Sequence, residues 1–302
     1  MTRPVLYRGR FAPSPTGPLH FGSLVAATAS YLQAKHQHGE WLVRIDDIDP
    51  PREVAGAADH ILITLEQFGF EWDGEVSYQS HHQKRYAEAV SELLAQKQAY
   101  PCSCSRTSIL NKTGLVKGAI IYPGFCRNGP LHKSSHYTIR LCCEDHVIEF
   151  TDAIQGKLQS NLLKDYGDFV LQRRDGYFSY HLASGIDDAE QQITEVVRGA
   201  DLLNCTAAQI EVQHALKLSS PDYCHLPIAL NNRGQKLSKQ NHAKAIMPDE
   251  SSWLLYKTLK FLGQMPPKSL KQASQEEIWS WALANWKLES VPQASPPVSE
   301  NN

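Results

Sequence analysis

Apolar residues fall in short runs along the first hundred positions, and the spacing within each run predicts an element. The run over 5–11 gives a short strand, broken by Pro13, Pro15, Gly17 and Pro18. Small and apolar residues follow over 23–37, with Leu24, Ala27, Tyr31 and Ala34 on one face, so that stretch is predicted helical. A second strand over 41–45 ends at Asp46 and Asp47, and helical patterns follow over 53–68 and 81–98. This alternation of strand and helix is that of a parallel sheet with crossover helices.

The rhythm stops near Tyr100. Residues 101–131 carry cysteine and glycine punctuation with little apolar period, and strand-like pieces follow over 137–141, 147–150 and 169–172. A strand over 193–197 and a helix over 207–218 restore the first pattern, and helices over 253–262 and 275–286 close the fold. The expected fold is α/β: a Rossmann-type parallel nucleotide-binding sheet with an inserted α+β subdomain and a short helical C-terminal tail. Its divisions are 1–100 and 185–245 for the core, 101–184 for the insertion, and 246–302 for a helical remnant and loose tail.

Composition narrows the class. With 302 residues, 42% hydrophobic and 21% charged, the chain is an ordinary globular protein rather than a disordered one. The net charge is −2, so any polyanion must be held by a local basic patch rather than by bulk charge. No apolar run reaches the roughly 18 residues of a membrane span, and a cytoplasmic monomer without a membrane partner is expected. Seven cysteines fit metal ligation or free thiols better than a disulfide framework.

Two constellations carry chemistry. In the first, Arg10-Phe11-Ala12-Pro13-Ser14 leads through a Pro/Gly turn to His20, Gly22 and Ser23 at a helix entrance, where unpaired N–H groups favour an anion. The second, Lys236-Leu237-Ser238-Lys239, follows a glycine turn and offers two cations to mobile phosphates. Alone, either would be a solvated turn. Together they resemble the two signature sequences of class I aminoacyl-tRNA synthetases. The stretches 10–17, 42–50, 197–201 and 225–227 resemble the glutamyl subgroup in particular, in consistent order from about residue 7 to 245.

The resemblance implies an ATP-dependent ligase that forms glutamyl-adenylate, with Mg²⁺ accompanying the nucleotide. It implies His20, Gly22 and Lys239 at ATP, and His20, Lys236 and Lys239 in the chemical step. Glutamate would meet Arg10, Phe11, Ala12, Pro13, Ser14, Asp46, Tyr180 and Arg198. Arg10 would face the side-chain carboxylate, Arg198 the α-carboxylate and Asp46 the ammonium. Asp46 departs from the family's usual glutamate by one methylene. Ser23 stands where the general motif has a second histidine.

The thiols Cys102, Cys104 and Cys126 suit a tetrahedral structural zinc that lacks an obvious fourth ligand. The resemblance supplies Tyr122, while His132 and His136 compete on spacing alone. Cys142, Cys143, Cys205 and Cys224 are expected as small core residues.

Full glutamyl-tRNA synthetases continue after the lysine loop into a large anticodon-binding region, whereas only 62 residues follow Gln240 here. That pattern resembles truncated members of the family that activate glutamate without tRNA and attach it to the queuosine base in the anticodon loop of tRNA(Asp). Three other readings stay open: another class I-type carboxylate adenylyltransferase, a fragment of a conventional glutamyl-tRNA synthetase, and an inactive RNA-binding paralogue.

Overall fold

A computed structural model describes residues 6–116, 119–230 and 244–294. Strand β1 (Arg8–Phe11) leads into helix α1 (Phe21–His36), followed by β2 (Glu40–Ile45), α2 (Ala57–Gln67), β3 (Ser77–Tyr78) and α3 (Gln83–Ala95). Next come β4 (Ala99–Cys102), α4 (Arg106–Thr113), β5 (Thr138–Leu141), β6 (Val147–Asp152), β7 (Gly156–Asn161), α5 (Leu162–Asp165) and β8 (Val170–Gln172). The chain continues through α6 (Tyr180–Glu190), β9 (Glu195–Gly199), α7 (Thr206–Ala215), β10 (Asp222–Leu226), α8 (Ser251–Phe261) and α9 (Gln275–Asn285).

The strands β1, β2 and β3 pair in parallel in that order. A second sheet runs β7-β6-β10-β9, with β6, β10 and β9 parallel and β7 antiparallel. The two meet where β1 lies beside β9: Thr194 N–H donates to the Arg8 carbonyl, and Arg8 N–H to Thr194 Oγ1. In open α/β sheets, ligands bind at such a reversal of strand order, beyond the carboxyl ends of the strands.

Helix α1 begins where His20 and Ser23 cap one another, and it ends as the chain turns back beside β1. At that turn a side chain on Gly39 would place its Cβ 2.2 Å from the Tyr7 carbonyl oxygen, so only glycine fits. The helix expected over 53–68 starts only at Ala57, because Gly56 (φ 73°) turns the backbone out of the helical region.

Residues 147–161, expected within the insertion, are instead β6 and β7 of the second sheet. Only β4, β5 and β8 form the separate antiparallel sheet. The C-terminal helices pack into the main core. Helices α8 and α9 bury Leu255, Leu259, Ile278 and Trp279 in one core with α1. Indole N–H groups of Trp279 and Trp286 donate to the Phe68 carbonyl and Gln33 Oε1, both at 2.9 Å. Among the described residues no helix is long and apolar enough to cross a membrane.

Candidate active site

A cavity of about 440 Å³ opens at the carboxyl ends of β1, β9 and β10 and the start of α1. Arg10, Phe11, Ala12, Pro13 and Ser14 form one wall, His20 and Gly22 another, and Tyr180 and Arg198 a third. These were assigned from widely separated segments, and the fold gathers them around one space.

His20 is the N-cap of α1. Its Nδ1 accepts from the Ser23 N–H at 3.2 Å, which puts the proton of a neutral ring on Nε2. Ser23 Oγ in turn lies 3.5 Å from the His20 N–H. The serine in the second-histidine slot therefore caps the His20 backbone N–H with its hydroxyl, while the backbone N–H at that position holds the His20 ring.

The two arginines differ in charge balance. Arg10 is buried and binds Asp188 bidentately, Nε to Oδ1 at 3.0 Å and Nη2 to Oδ2 at 3.1 Å. That consumes the fork expected for the glutamate side chain and leaves the Nη1/Nη2 edge for a ligand. Burial works to raise the Asp188 pKa, but Arg10 and Arg44 outweigh it and hold the carboxyl well below its usual range. Arg198, by contrast, has no carboxylate within ion-pair distance among the described residues. Its Nη1 donates to Tyr180 Oη at 3.2 Å and its Nη2 to Thr206 Oγ1 at 2.9 Å. Among the described residues Arg198 is thus a pocket cation with no direct carboxylate partner.

Asp46 lies outside the cavity lining. Its Oδ1 accepts from Arg44 Nε at 2.8 Å, and burial raises its pKa to about 6 against the pull of Arg44 and Arg10. Arg44 also binds Asp188 at 2.7 Å and lies 3.8 Å from Asp187. Asp187 accepts from Gln79 and Tyr86 and meets His82. These acids were missed because two adjacent aspartates in a helix normally mark its solvent face. In α6 both are buried beneath the pocket.

Lys236 and Lys239 lie outside the described residues. On either side of that stretch, Leu226 to Ala229 line the cavity and Ala245 bridges His20.

The metal candidates converge. The sulfurs of Cys102, Cys104 and Cys126 all lie within 4.8 Å of one another. Cys104 and Cys126 are 3.7 Å apart, and Tyr122 Oη is 3.2 Å from Cys102 Sγ and 3.6 Å from Cys104 Sγ. Zn–S bonds of about 2.3 Å in a tetrahedron need S···S edges of about 3.8 Å, so the donor set fits zinc. His132 Nε2 is 3.1 Å from the Ser103 carbonyl instead, and neither it nor His136 joins the cluster. Of the other cysteines, Cys143 and Cys224 are buried, whereas Cys142 and Cys205 are only partly so.

A parallel sheet with a helix entrance and an arginine-lined pocket at its switch point is the arrangement of a Rossmann-type nucleotide-binding domain. The family model for tRNA synthetases class I (E and Q), catalytic domain, matches residues 7–272. The chain belongs to the glutamyl-Q tRNA(Asp) synthetase family. It is 50% identical to the glutamyl-Q tRNA(Asp) synthetase of Chromobacterium violaceum over 95% of this chain and 96% of that one. Identity to the enzyme of the same name from Dechloromonas aromatica is 49%, covering 96% and 97%. Among solved structures, the glutamate-tRNA synthetase of Elizabethkingia anophelis superposes with a TM-score of 0.79 at 27% identity, covering 98% of this chain and 68% of that one.

Proposed function

We propose that this enzyme activates glutamate with ATP, without tRNA, and passes it to the queuosine base in the anticodon loop of tRNA(Asp). The observation that carries the chemistry is the shared cavity. Arg10 and Arg198 suit the two carboxylates of glutamate, and His20, whose Nδ1 accepts from the Ser23 N–H, lines the same space. The α-carboxylate oxygen attacks the α-phosphorus of ATP, an O–P bond forms, and pyrophosphate leaves. A hydroxyl of the acceptor then attacks the glutamyl carbonyl and expels AMP, its proton passing to solvent. Negative charge grows on the phosphoryl oxygens in the first step. Fixed donors such as His20 Nε2–H, with Lys236 and Lys239 assigned by resemblance, are the catalytic resource. Mg²⁺ accompanies the nucleotide phosphates.

Names of the relatives support the acceptor, and a second cavity supports it physically. This space of about 1180 Å³ shares Tyr180 with the first and is lined by Arg173, Arg174, Tyr166, Phe169 and His181. Arg173 pairs with Asp49 and Asp175, and Arg174 donates to the Ser103 carbonyl, so the cavity offers partly neutralised cations beside the aromatic rings that RNA loop recognition uses. Cys102, Cys104, Tyr122 and Cys126 would hold one structural zinc, which would brace that cavity's wall.

Acceptor choice is read by labelled glutamate transfer to tRNA(Asp) carrying or lacking queuosine. Incorporation is expected in modified tRNA only, and similar incorporation in both would exclude the queuosine assignment.

A further inference from the structure

Behind Arg198 runs a buried polar chain that does not line the cavity. Asp152 ends β6, His225 lies in β10, and strand register sets His225 opposite Arg198 of β9. Both Asp152 and His225 are fully buried. Asp152 Oδ2 lies 2.6 Å from His225 Nδ1. Its Oδ1 accepts backbone N–H bonds from Ile154, Gln155 and His225 at 3.0, 2.9 and 3.2 Å. On the other side of the ring, Arg198 Nε lies 3.0 Å from His225 Nε2.

The tautomer follows from donor counting. A guanidinium can only donate, so Nε2 must accept, and the single ring proton sits on Nδ1 facing Asp152. Burial lowers the His225 pKa against the opposing hydrogen bond that the ring donates to Asp152, in keeping with a neutral ring. Arg198 has five N–H groups. Four are taken by His225, Thr206, the Leu202 carbonyl and Tyr180, which leaves one on Nη1.

We propose that Asp152 and His225 are a positioning pair for Arg198. The carboxylate fixes the imidazole tautomer, and the imidazole fixes the rotation of the guanidinium so that its remaining Nη1–H faces the substrate carboxylate. A carboxylate directly on Arg198 would also hold it, as Asp188 holds Arg10, but would cancel its charge. A neutral imidazole orients the cation and leaves its field to the ligand. The role assigned to the pair rests on the reading of the pocket as a glutamate site.

The test is ATP–pyrophosphate exchange by the full chain, with KM measured separately for glutamate and ATP. In Asp152→Asn the amide N–H₂ can donate to Nδ1, moving the ring proton to Nε2 and setting it against the Arg198 Nε–H. A similar loss of tautomer is known for the buried aspartate of serine protease triads. Glutamate KM is expected to rise on the order of 10- to 100-fold, as for loss of a hydrogen bond to a charged group, with ATP KM within about twofold. His225→Leu should do the same. His225→Gln, whose Oε1 can accept where Nε2 did, should recover most of the loss. Parallel rises in both KM values, no rise in folded Asp152→Asn, or His225→Gln no better than His225→Leu would each overturn the proposal. Should His225→Leu not fold, the KM split in Asp152→Asn and the His225→Gln value still decide it. Absence of glutamate-dependent exchange in the unaltered enzyme would instead overturn the glutamate reading itself.

Discussion

Arg44→Met is expected to destabilise the protein by about 3–5 kcal/mol, because it strands buried carboxylates rather than merely removing a bond. Arg44 is fully buried and donates to Asp46, Asp188 and Gln191. Without it, Asp46 loses its hydrogen-bonded cation and keeps only the weaker pull of Arg10, and Asp188 keeps Arg10 alone. The pH dependence identifies the cause. In the native protein Asp188 has a lowered pKa, so its contribution is present above the unfolded value near 3.9 and is lost as pH falls toward the folded one. In the variant, Asp46 is raised further above its native value of about 6 and Asp188 loses part of its depression. Folding then favours protonated carboxyls, and stability is lost as pH rises through the folded pKa. The difference between the two proteins should therefore be largest at pH 7–8 and shrink toward pH 4 in urea unfolding. A difference independent of pH would point to lost packing instead.

The second large effect is expected at the thiol cluster. The lobe around it has a small core of its own: Tyr100, Cys102, Cys104, Ile109, Tyr122 and Cys126, half of them cysteines. Leu110, Leu115, Phe125 and Leu131 beside it remain exposed. Such a core is too small to fold a lobe alone, and a structural metal ordinarily supplies the missing free energy, about 10–16 kcal/mol in zinc peptides. Metal analysis should find about one zinc per chain, and Cys126→Ser should reduce it to near zero while exposing the 103–134 segment to protease. Tyr122→Phe separates the fourth ligand from the other three. Burial and the neighbouring thiols push the Tyr122 hydroxyl well above its usual range, which makes it a weaker ligand than the thiolates, so Tyr122→Phe should retain zinc but bind it more weakly. Full zinc occupancy in Cys126→Ser would refute the cluster.

Much of this was legible in the chain. The first βαβ unit, the turn from Arg10 to Ser23 and the three thiols follow from local spacing, and the structure gathers them as spacing and resemblance suggested. What was hidden depended on burial that no local pattern reports. Asp187 and Asp188 look like a solvent-facing pair until Arg10 and Arg44 are placed over them. His225 stood within a recognised stretch without a role, because its partners Asp152 and Arg198 come from other strands. Asp152 was assigned to an insertion, since the short polar strands β6 and β7 carry no apolar alternation strong enough to declare which sheet they join. Helices α8 and α9 were read as a remnant because their packing partner, α1, lies more than two hundred residues earlier.

The most direct test of the central claim, that this pocket activates glutamate, is ATP–pyrophosphate exchange with purified protein across the standard amino acids and no tRNA present. The arrangement of Arg10, Arg198 and His20 predicts exchange with glutamate and little with glutamine or aspartate. Exchange driven by a different amino acid, or none until tRNA is added, would contradict it.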